Sequence, residues 1–308
     1  MTTNQAIVFP GQGSQSVGML ADVAAAFPQI QSTFSEVSEH VGYDVWNMVQ
    51  KGPEDILNQT EHTQVAVLTA DVALFRARQQ QSAVSPKMMA GHSLGEYAAL
   101  VCSEAISLTD AAQLVQTRGR LMQETVPMGL GAMAAIVGLS DAQVQEICKQ
   151  STTTVEQVTP ANYNALGQVV IAGHTAAVMK AIALAESQDA RIAKLIPVSV
   201  PCHCGLLRPA AEKFAVALAN TTFEVPNCAV ISNVDLSIYS SAEQVRALLE
   251  AQLFSPVRWV ETIQMMQQQG IEAILECGPG RVLSGLVKRI DRSMQVSSVY
   301  DGLLQSVG

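Results

Sequence analysis

The chain has 308 residues, which is enough for one large domain or for a domain that carries an insertion. Its 48% hydrophobic and 15% charged residues can form a substantial core, so the composition argues against intrinsic disorder. The net charge of −9 argues against nucleic acid as the main partner, although a local basic patch can oppose the net sign. One such concentration comprises Arg281, Lys288, Arg289 and Arg292, for which a solvated helix face is the alternative.

The sequence pattern predicts neither a membrane span nor a secretion signal. No apolar run approaches the roughly 18 residues that a membrane helix needs. Residues 1–5 lack the basic start and the apolar stretch of a signal peptide. The six cysteines are scattered apart from Cys202 and Cys204, so free thiols in a reducing compartment are expected. We therefore expect a cytoplasmic protein with no membrane partner.

The first predicted element is a buried strand at residues 5–9, which the glycine-rich run 10–15 ends. Helical patterns follow at residues 18–27, 29–40 and 62–80. A short apolar strand at 87–90 then leads through a glycine-flanked turn into a helix at 96–101. Ser107 or Thr109 can cap the next helix, which runs to about Glu124.

Residues 132–199 show a self-contained order of predicted elements. These are a strand at 132–139, a helix at 140–149, strands at 155–163 and 168–172, a helix at 173–187 and a strand at 191–200. The order β-α-β-β-α-β is that of a ferredoxin-like, or split βαβ, module. We therefore predict a small inserted domain at residues 129–200.

After the insert the predicted elements alternate again. They are a helix at 206–220, a strand at 228–232, helices at 241–251 and 255–269, a strand at 273–276 and a helix at 282–290. Alternating strands and helices favour a mostly parallel sheet that is covered on both faces. The predicted fold is α/β, with residues 1–128 and 201–308 forming the large domain.

The strongest motif is a G-x-S-x-G pentapeptide, Gly91-His92-Ser93-Leu94-Gly95, between a predicted strand and a predicted helix. A serine at such a turn is typical of a nucleophile elbow. Glycines allow the tight turn, and the N-terminus of the following helix favours an oxyanion beside the serine. The alternative is a chance match, since glycine and serine are common in loops.

A serine nucleophile needs a base, and five histidines are available. His40 and His62 lie in amphipathic helical stretches and are expected at the surface. The side chain of His92 should diverge from that of its neighbour, so a structural role is expected. His203 follows the last strand of the insert, where the chain returns to the large domain and a cleft can open. We predict His203 as the base, with His174 as the alternative.

Two other motifs admit different interpretations. Cys202-His203-Cys204 could suggest a metal site, but successive residues of an extended chain point to opposite sides and no second ligand cluster exists. The run after the first strand resembles a dinucleotide fingerprint, but Ser16 stands where its third glycine should be. We interpret this run as a second glycine loop, in which the Gln12 amide joins the Leu94 amide as an oxyanion donor.

Arg118 is the remaining candidate. Arg118 and Arg120 lie about 200° apart on a helix, so at most one of them faces the core. A buried guanidinium without a partner is costly, so an inward arginine needs a carboxylate. That carboxylate belongs either to a substrate or to a structural ion pair.

Motifs along the whole chain resemble the malonyl-CoA:acyl-carrier-protein transacylases of type II fatty acid synthesis, and the acyltransferase domains of polyketide synthases. They are Gly11-Gln12-Gly13-Ser14-Gln15, Gly91-His92-Ser93-Leu94-Gly95-Glu96, Arg118-Gly119-Arg120, Asn162-Tyr163-Asn164 with residues 168–173, Val200-Pro201-Cys202-His203, Gln252-Leu253 with Pro256-Val257, and Glu276-Cys277-Gly278-Pro279-Gly280. Each motif is weak alone, but their order and spacing are highly specific. The resemblance implies an α/β-hydrolase-like large domain with a mostly parallel sheet and a ferredoxin-like (βαββαβ) insert.

The resemblance also implies roles for individual residues. Ser93 would be the nucleophile, His203 the base and Arg118 the carboxylate clamp. The backbone amides of Gln12 and Leu94 would form the oxyanion hole. The histidine would be oriented by a main-chain carbonyl near Gln252, and Asn162 would line the pocket. One departure is Cys202, because the family commonly has serine before the histidine.

The implied reaction moves a malonyl group from malonyl-CoA to the phosphopantetheine thiol of acyl carrier protein through a malonyl-serine, without a cofactor or a metal. We expect a monomer. The alternatives are a discrete acyltransferase that serves a polyketide assembly line, a serine thioesterase or hydrolase that uses water, and a carrier-protein-binding scaffold with a relic site.

Overall fold

The computed structural model describes residues 4–82, 85–197 and 200–307. Its first part contains β1 (Gln5–Phe9), α1 (Ala21–Ala24), α2 (Pro28–Val41), α3 (Val45–Lys51), α4 (Glu54–Leu57), α5 (Thr60–Gln81), β2 (Met88–Gly91), α6 (Gly95–Cys102) and α7 (Leu108–Thr125). The middle part contains β3 (Gly131–Val137), α8 (Asp141–Ser151), β4 (Val158–Ala165), β5 (Gln168–His174), α9 (Thr175–Ser187) and β6 (Ile192–Leu195).

The last part begins with a 3₁₀ turn at Gly205–Leu207. It continues with α10 (Arg208–Ala219), β7 (Ala229–Ile231), α11 (Ala242–Gln252), α12 (Trp259–Gln268), β8 (Ala273–Glu276), α13 (Val282–Ile290), β9 (Gln295–Ser298) and α14 (Val299–Val307). None of the helices in the described ranges is long and apolar enough to cross a membrane.

The larger sheet has five strands in the order β7-β2-β1-β8-β9, and every neighbouring pair is parallel. Its central strands are almost entirely apolar and buried, as expected for a parallel sheet that is covered on both faces. The predicted α/β class and mostly parallel sheet are thus confirmed. Because Phe9 pairs with Gly91, the loops that follow β1 and β2 leave the sheet side by side.

The second sheet has four antiparallel strands in the order β4-β5-β3-β6. One face packs against α8 and α9 through an apolar cluster that includes Ile136, Val144 and Val178. Its edge strand β4 joins the rest of the molecule directly, because the Tyr163 amide donates to the Val257 oxygen at 2.9 Å and the Val257 amide donates to the Ala161 oxygen at 2.9 Å.

Several predicted boundaries are confirmed by side-chain caps. The Ser107 hydroxyl accepts from the Asp110 amide at the start of α7. Ser140 and Gln143 form a capping box at the start of α8. Two reciprocal hydrogen bonds of this kind fix the first turn, which explains why the local sequence predicts where these helices begin.

Other predicted elements are wrong in extent. The helix predicted at 18–27 shrinks to four residues, because Gly18 and Leu20 have positive φ and Pro28 begins a new helix. The helix predicted from 255 begins only at Trp259, after the segment that pairs with β4. The strand predicted at 191–200 is confined to β6, and residues 198–199 of that prediction lie outside the described residues. Residues 1–3, on which the expectation about a signal peptide partly depends, also lie outside them.

Candidate active site

The pentapeptide forms a strained turn between β2 and α6. Ser93 has φ +53°, in the left-handed region that residues with a side chain rarely adopt. A Cβ on Gly91 would lie 1.8 Å from the main-chain carbon of Gly95, and a Cβ on Gly95 would lie 2.1 Å from the Phe9 oxygen. Both glycines are therefore required by the close approach of β1, β2 and α6. The Ser93 amide donates to Asn233 Oδ1 at 2.7 Å, which fixes the turn.

His203 lies directly opposite the serine. Its Nε2 atom is 2.7 Å from Ser93 Oγ, and its Nδ1 atom is 2.8 Å from the main-chain oxygen of Gln252. A carbonyl oxygen only accepts, so Nδ1 carries the proton and Nε2 is free to accept from the serine hydroxyl. Burial, together with the positive charge of Arg118, lowers the pKa of His203 to about 3. The imidazole is therefore neutral and ready to take a proton.

Arg118 extends from α7 into the same site, and its side chain is only 2% exposed, whereas Arg120 is exposed. Its guanidinium donates to Gln64 Oε1 at 2.8 Å and to Gln252 Oε1 at 3.0 Å, and one nitrogen is 3.4 Å from Ser93 Oγ. Within the described ranges no carboxylate forms an ion pair with it. The structural ion pair considered from the sequence is therefore absent there, and the positive charge faces the serine.

A cavity of about 220 Å³ connects these groups. Besides Ser93, His203 and Arg118, its walls include Gln12, Leu94 and Asn162. The glycine loop after β1 touches the elbow so closely that a Cβ on Gly11 would lie 2.6 Å from the His92 oxygen and 3.6 Å from the Leu94 nitrogen.

The two amides expected as oxyanion donors belong to these touching loops. Neither the Gln12 amide nor the Leu94 amide has a hydrogen-bond acceptor among the residues that the structure describes. Both residues line the cavity beside Ser93. Two unengaged N–H donors next to a nucleophile can stabilise negative charge that develops on a carbonyl oxygen.

The remaining predicted residues fall into two groups. Gln252 is fully buried behind the cavity and contacts both Arg118 and His203, whereas Asn162 lines the wall that the second sheet supplies. His174, the alternative base, lies outside this cavity at the start of α9, where its Nδ1 atom accepts from the Gln157 amide. His203 is therefore the only histidine that contacts Ser93 Oγ in the described part of the chain.

The other sequence expectations have the following outcomes. His92 is half-buried, and its Nε2 atom lies 2.8 Å from Asn164 Oδ1, which fits a structural role. His62 is half-buried rather than on the surface, because its ring packs edge-on against Tyr43. Cys202 lines the cavity, and burial raises the pKa of its thiol to about 11. No group of three or more possible ligands for a metal ion occurs among the residues described.

The basic concentration near the C-terminus is partly engaged in surface contacts. Arg281 pairs with Asp301 at 2.7 Å, and Arg289 donates to Gln168 Oε1 at 2.5 Å. Lys288 and Arg292 line a surface depression together with Arg289. These residues are apart from the cavity that contains Ser93.

Sequence reasoning missed three polar residues that hold the site together. They are Gln64, which accepts from Arg118, Asn233, which accepts from the Ser93 amide, and Glu96, a buried carboxylate on the first turn of α6. The only sequence signal was the position of Glu96 directly after the pentapeptide.

Comparisons with known proteins agree with this geometry. A family model described as an acyl transferase domain matches residues 6–301. The malonyl CoA-acyl carrier protein transacylase of Escherichia coli is 50% identical over 299 residues, which cover 97% of this chain and 96% of that protein. The structure of the malonyl CoA-acyl carrier protein transacylase from Coxiella burnetii matches with a TM-score of 0.97 at 46% identity, covering 100% of this chain and 97% of that one.

A second solved structure contains a carrier protein. It is a type II PKS acyl-carrier protein in complex with its malonyl-transacylase, and it matches with a TM-score of 0.95 at 47% identity, covering 99% of this chain and 100% of that one. Both the sequence matches and the structural matches extend over nearly the full chain. The chain therefore belongs to the acyl transferase domain family.

Proposed function

We propose that this protein transfers the malonyl group of malonyl-CoA to the phosphopantetheine thiol of acyl carrier protein. The observation that carries the proposal is the buried guanidinium of Arg118, which lies 3.4 Å from Ser93 Oγ and is not neutralised by a direct carboxylate partner among the described residues. A nucleophile beside an available positive charge suits an acyl donor that carries its own carboxylate. The names of the relatives point to the same donor and acceptor.

In the first half-reaction, Ser93 Oγ attacks the thioester carbonyl carbon while His203 Nε2 takes the hydroxyl proton. The short distance between these atoms supports this pairing. The carbon–sulfur bond then breaks, the CoA sulfur receives the proton from Nε2, and a malonyl-serine ester remains. The amides of Gln12 and Leu94 would hold the oxyanion, because both residues line the cavity and neither amide has an acceptor among the described residues.

In the second half-reaction, the carrier-protein thiol transfers its proton to His203 and attacks the ester. The proton returns to Ser93 Oγ as the ester bond breaks, so the enzyme is restored and the kinetics are ping-pong. Arg118 would hold the malonyl carboxylate in both halves by a charge-assisted, preferably bidentate, hydrogen bond. Gln252 would orient the base and the clamp, and Asn162 would contact the substrate from the insert wall.

We further propose the finer description of the fold. Residues 1–128 and 201–308 would form an α/β-hydrolase-like domain, for which the parallel sheet and the serine elbow are the support. Residues 129–200 would form a ferredoxin-like insert, supported by the element order from β3 to β6 and by two helices on one face. We also propose that the protein acts as a cytoplasmic monomer.

An intact-mass experiment tests the nucleophile and the donor together. Incubation with malonyl-CoA should add about 86 Da, the mass of one malonyl group bound as an ester. Ser93→Ala should lose this adduct while it retains the unfolding temperature of the unmodified protein. An adduct that survives the substitution would refute Ser93 as the nucleophile. The absence of any adduct on the unmodified protein would favour the scaffold interpretation.

A single-turnover experiment separates transfer from hydrolysis. The isolated malonyl-enzyme is mixed with buffer alone or with phosphopantetheinylated carrier protein, and the fate of the malonyl group is followed. Faster transfer to the carrier protein than to water supports the transferase, whereas equal rates favour the hydrolase.

A panel of fatty-acid and polyketide carrier proteins addresses the remaining alternative. That panel is relevant because one matched structure contains a type II PKS carrier protein. Clear preference for a polyketide carrier would favour a discrete polyketide acyltransferase.

A further inference from the structure

Glu96 is a buried carboxylate directly behind the serine. It lies on the first turn of α6 and is 1% exposed. Its oxygens accept from Gln252 Nε2 at 2.5 Å, from the Tyr239 hydroxyl at 2.5 Å and from the Asn233 amide at 3.4 Å. Burial raises the pKa of Glu96 to about 7, and these three donors oppose that shift because they favour the carboxylate form. The proposed reaction uses Glu96 in none of its steps.

The Gln252 side chain connects this carboxylate to the clamp. Its Oε1 atom accepts from Arg118 at 3.0 Å. Its Nε2 atom donates to Glu96 and also, at 3.0 Å, to the main-chain oxygen of Ser93. A guanidinium only donates and a carboxylate only accepts. A flipped amide would therefore place donor against donor at Arg118 and acceptor against acceptor at Glu96.

We propose that Glu96 is a positioning residue that fixes the Gln252 amide in the one orientation that holds the Arg118 guanidinium towards the substrate. The inference rests on the proposed malonyl transfer. When it is ionised, Glu96 also places a negative charge one amide away from Arg118, and the positive charge of Arg118 favours that form against the effect of burial. The buried cation is thus partly compensated from behind, and its front remains free for the malonyl carboxylate.

Glu96→Gln removes the constraint with little change in shape. A carboxamide at this position can donate to Gln252 Oε1, so the flipped amide becomes possible and Arg118 loses an acceptor. We expect kcat/KM for malonyl transfer to fall about tenfold, the effect of one charge-assisted hydrogen bond. Acetyl transfer, which has no carboxylate to bind, should fall much less.

Tyr239→Phe is the matched control. It removes another buried hydrogen bond of Glu96 but leaves the contacts of Gln252 in place. A general structural role predicts similar losses in both variants, with malonyl and acetyl transfer affected alike. The positioning role predicts that only Glu96→Gln lowers the ratio of malonyl to acetyl kcat/KM.

A double-mutant cycle tests whether Glu96 acts through the clamp. In an Arg118→Ala background, Glu96→Gln should have no further effect on malonyl transfer, because the group that it positions is gone. If Glu96→Gln does not fold, Glu96→Asp replaces it in the test, because aspartate keeps the charge but is one methylene shorter. The ratio of malonyl to acetyl kcat/KM of Glu96→Asp should then be lower than that of the unmodified protein. Equal losses for both donors, equal effects in Tyr239→Phe, or additive losses in the cycle would overturn the inference. Absence of malonyl preference in the unmodified protein would instead contradict the proposed function.

Discussion

The Nδ1 atom of His203 lies 2.8 Å from the main-chain oxygen of Gln252, so the imidazole is oriented by a neutral acceptor rather than by a carboxylate. A main-chain carbonyl fixes the tautomer as well as an aspartate does, but because it has no net charge it stabilises the positive charge of an imidazolium less. Burial and the charge of Arg118 lower the pKa of His203 in the same direction. The His203 imidazole is therefore neutral at ordinary pH, as the proposed role of a base requires.

The first prediction concerns pH. Because the pKa of His203 lies near 3 rather than 6.5, its base form persists as the pH falls through the ordinary histidine range. Sulfonylation of Ser93 by phenylmethylsulfonyl fluoride, which needs the base but has no carboxylate, should lose no rate near pH 6.5. Arg118→Ala removes a cause that lowers this pKa, so its acid limb should move to higher pH. An acid limb near pH 6.5 in the unmodified protein would contradict the prediction.

The second prediction concerns donor selectivity. Arg118→Ala should reduce malonyl transfer about 10- to 150-fold more than acetyl transfer, since a hydrogen bond to a charged group contributes about 1.5–3 kcal/mol. The measurement is kcat/KM for malonyl-CoA and acetyl-CoA with the same preparation of the variant. Any general damage to folding affects both donors and cancels in the ratio. Equal losses would mean that Arg118 does not bind the acyl carboxylate.

The third prediction concerns Cys202, where the family commonly has serine. Its thiol stays protonated because burial raises its pKa to about 11, and among the described residues its only side-chain hydrogen bond is a weak one to the Val200 main-chain oxygen. Cys202→Ser should therefore retain malonyl transfer within about fivefold, the effect of one neutral hydrogen bond at most. Slow alkylation of Cys202 by N-ethylmaleimide should block the cavity and inactivate the unmodified protein. Cys202→Ser lacks this thiol and should retain its malonyl transfer under the same treatment. Loss of activity in Cys202→Ser would show that the thiol has a role of its own.

The fourth prediction concerns stability. Both carboxylate oxygens of Asp71 are buried and have no hydrogen-bond partner in the described part of the chain, and burial raises its pKa well above the ordinary value, with Glu276 adding to the shift. The unfolded chain ionises Asp71 above about pH 4, whereas the folded protein keeps it protonated. Asp71 therefore lowers the free energy of unfolding increasingly as the pH rises above that value.

Asp71→Asn removes this pH-dependent loss. We expect urea unfolding to show a gain that grows by up to about 1.4 kcal/mol for each pH unit above the ordinary aspartate pKa, because the asparagine has no proton to lose on unfolding. The gain should disappear at a pH below the ordinary aspartate pKa. Glu224→Gln, an exposed carboxylate, serves as the control and should show no such dependence. A gain that is equal at both pH values would contradict the explanation.

The sequence predicts the parts of the site that lie in local motifs. Ser93 and Gln12 follow neighbouring parallel strands, and the carboxyl ends of such strands meet at one edge of the sheet. His203 follows the insert, so its return to that edge is also predictable. The structure brings these three residues together around one cavity.

The supporting shell is not predictable in this way. Gln64 and Gln252 occur in helices with other glutamines, and nothing local distinguishes an amide that faces a buried guanidinium from one that faces water. β9 and α14 were not predicted either, because the short strand is an exposed edge with little apolar signal. These features depend on contacts between segments that are distant in the chain.

The attachment of β4 to the segment around Val257 fixes one wall of the cavity beside Ser93. The wall that carries Asn162 is fastened to the body by main-chain hydrogen bonds, and the His92–Asn164 contact fastens it again beside the elbow. Such a wall cannot swing aside on its own. The width of the cavity beside Ser93 is therefore set by main-chain contacts, and we expect acyl groups wider than this cavity to be excluded.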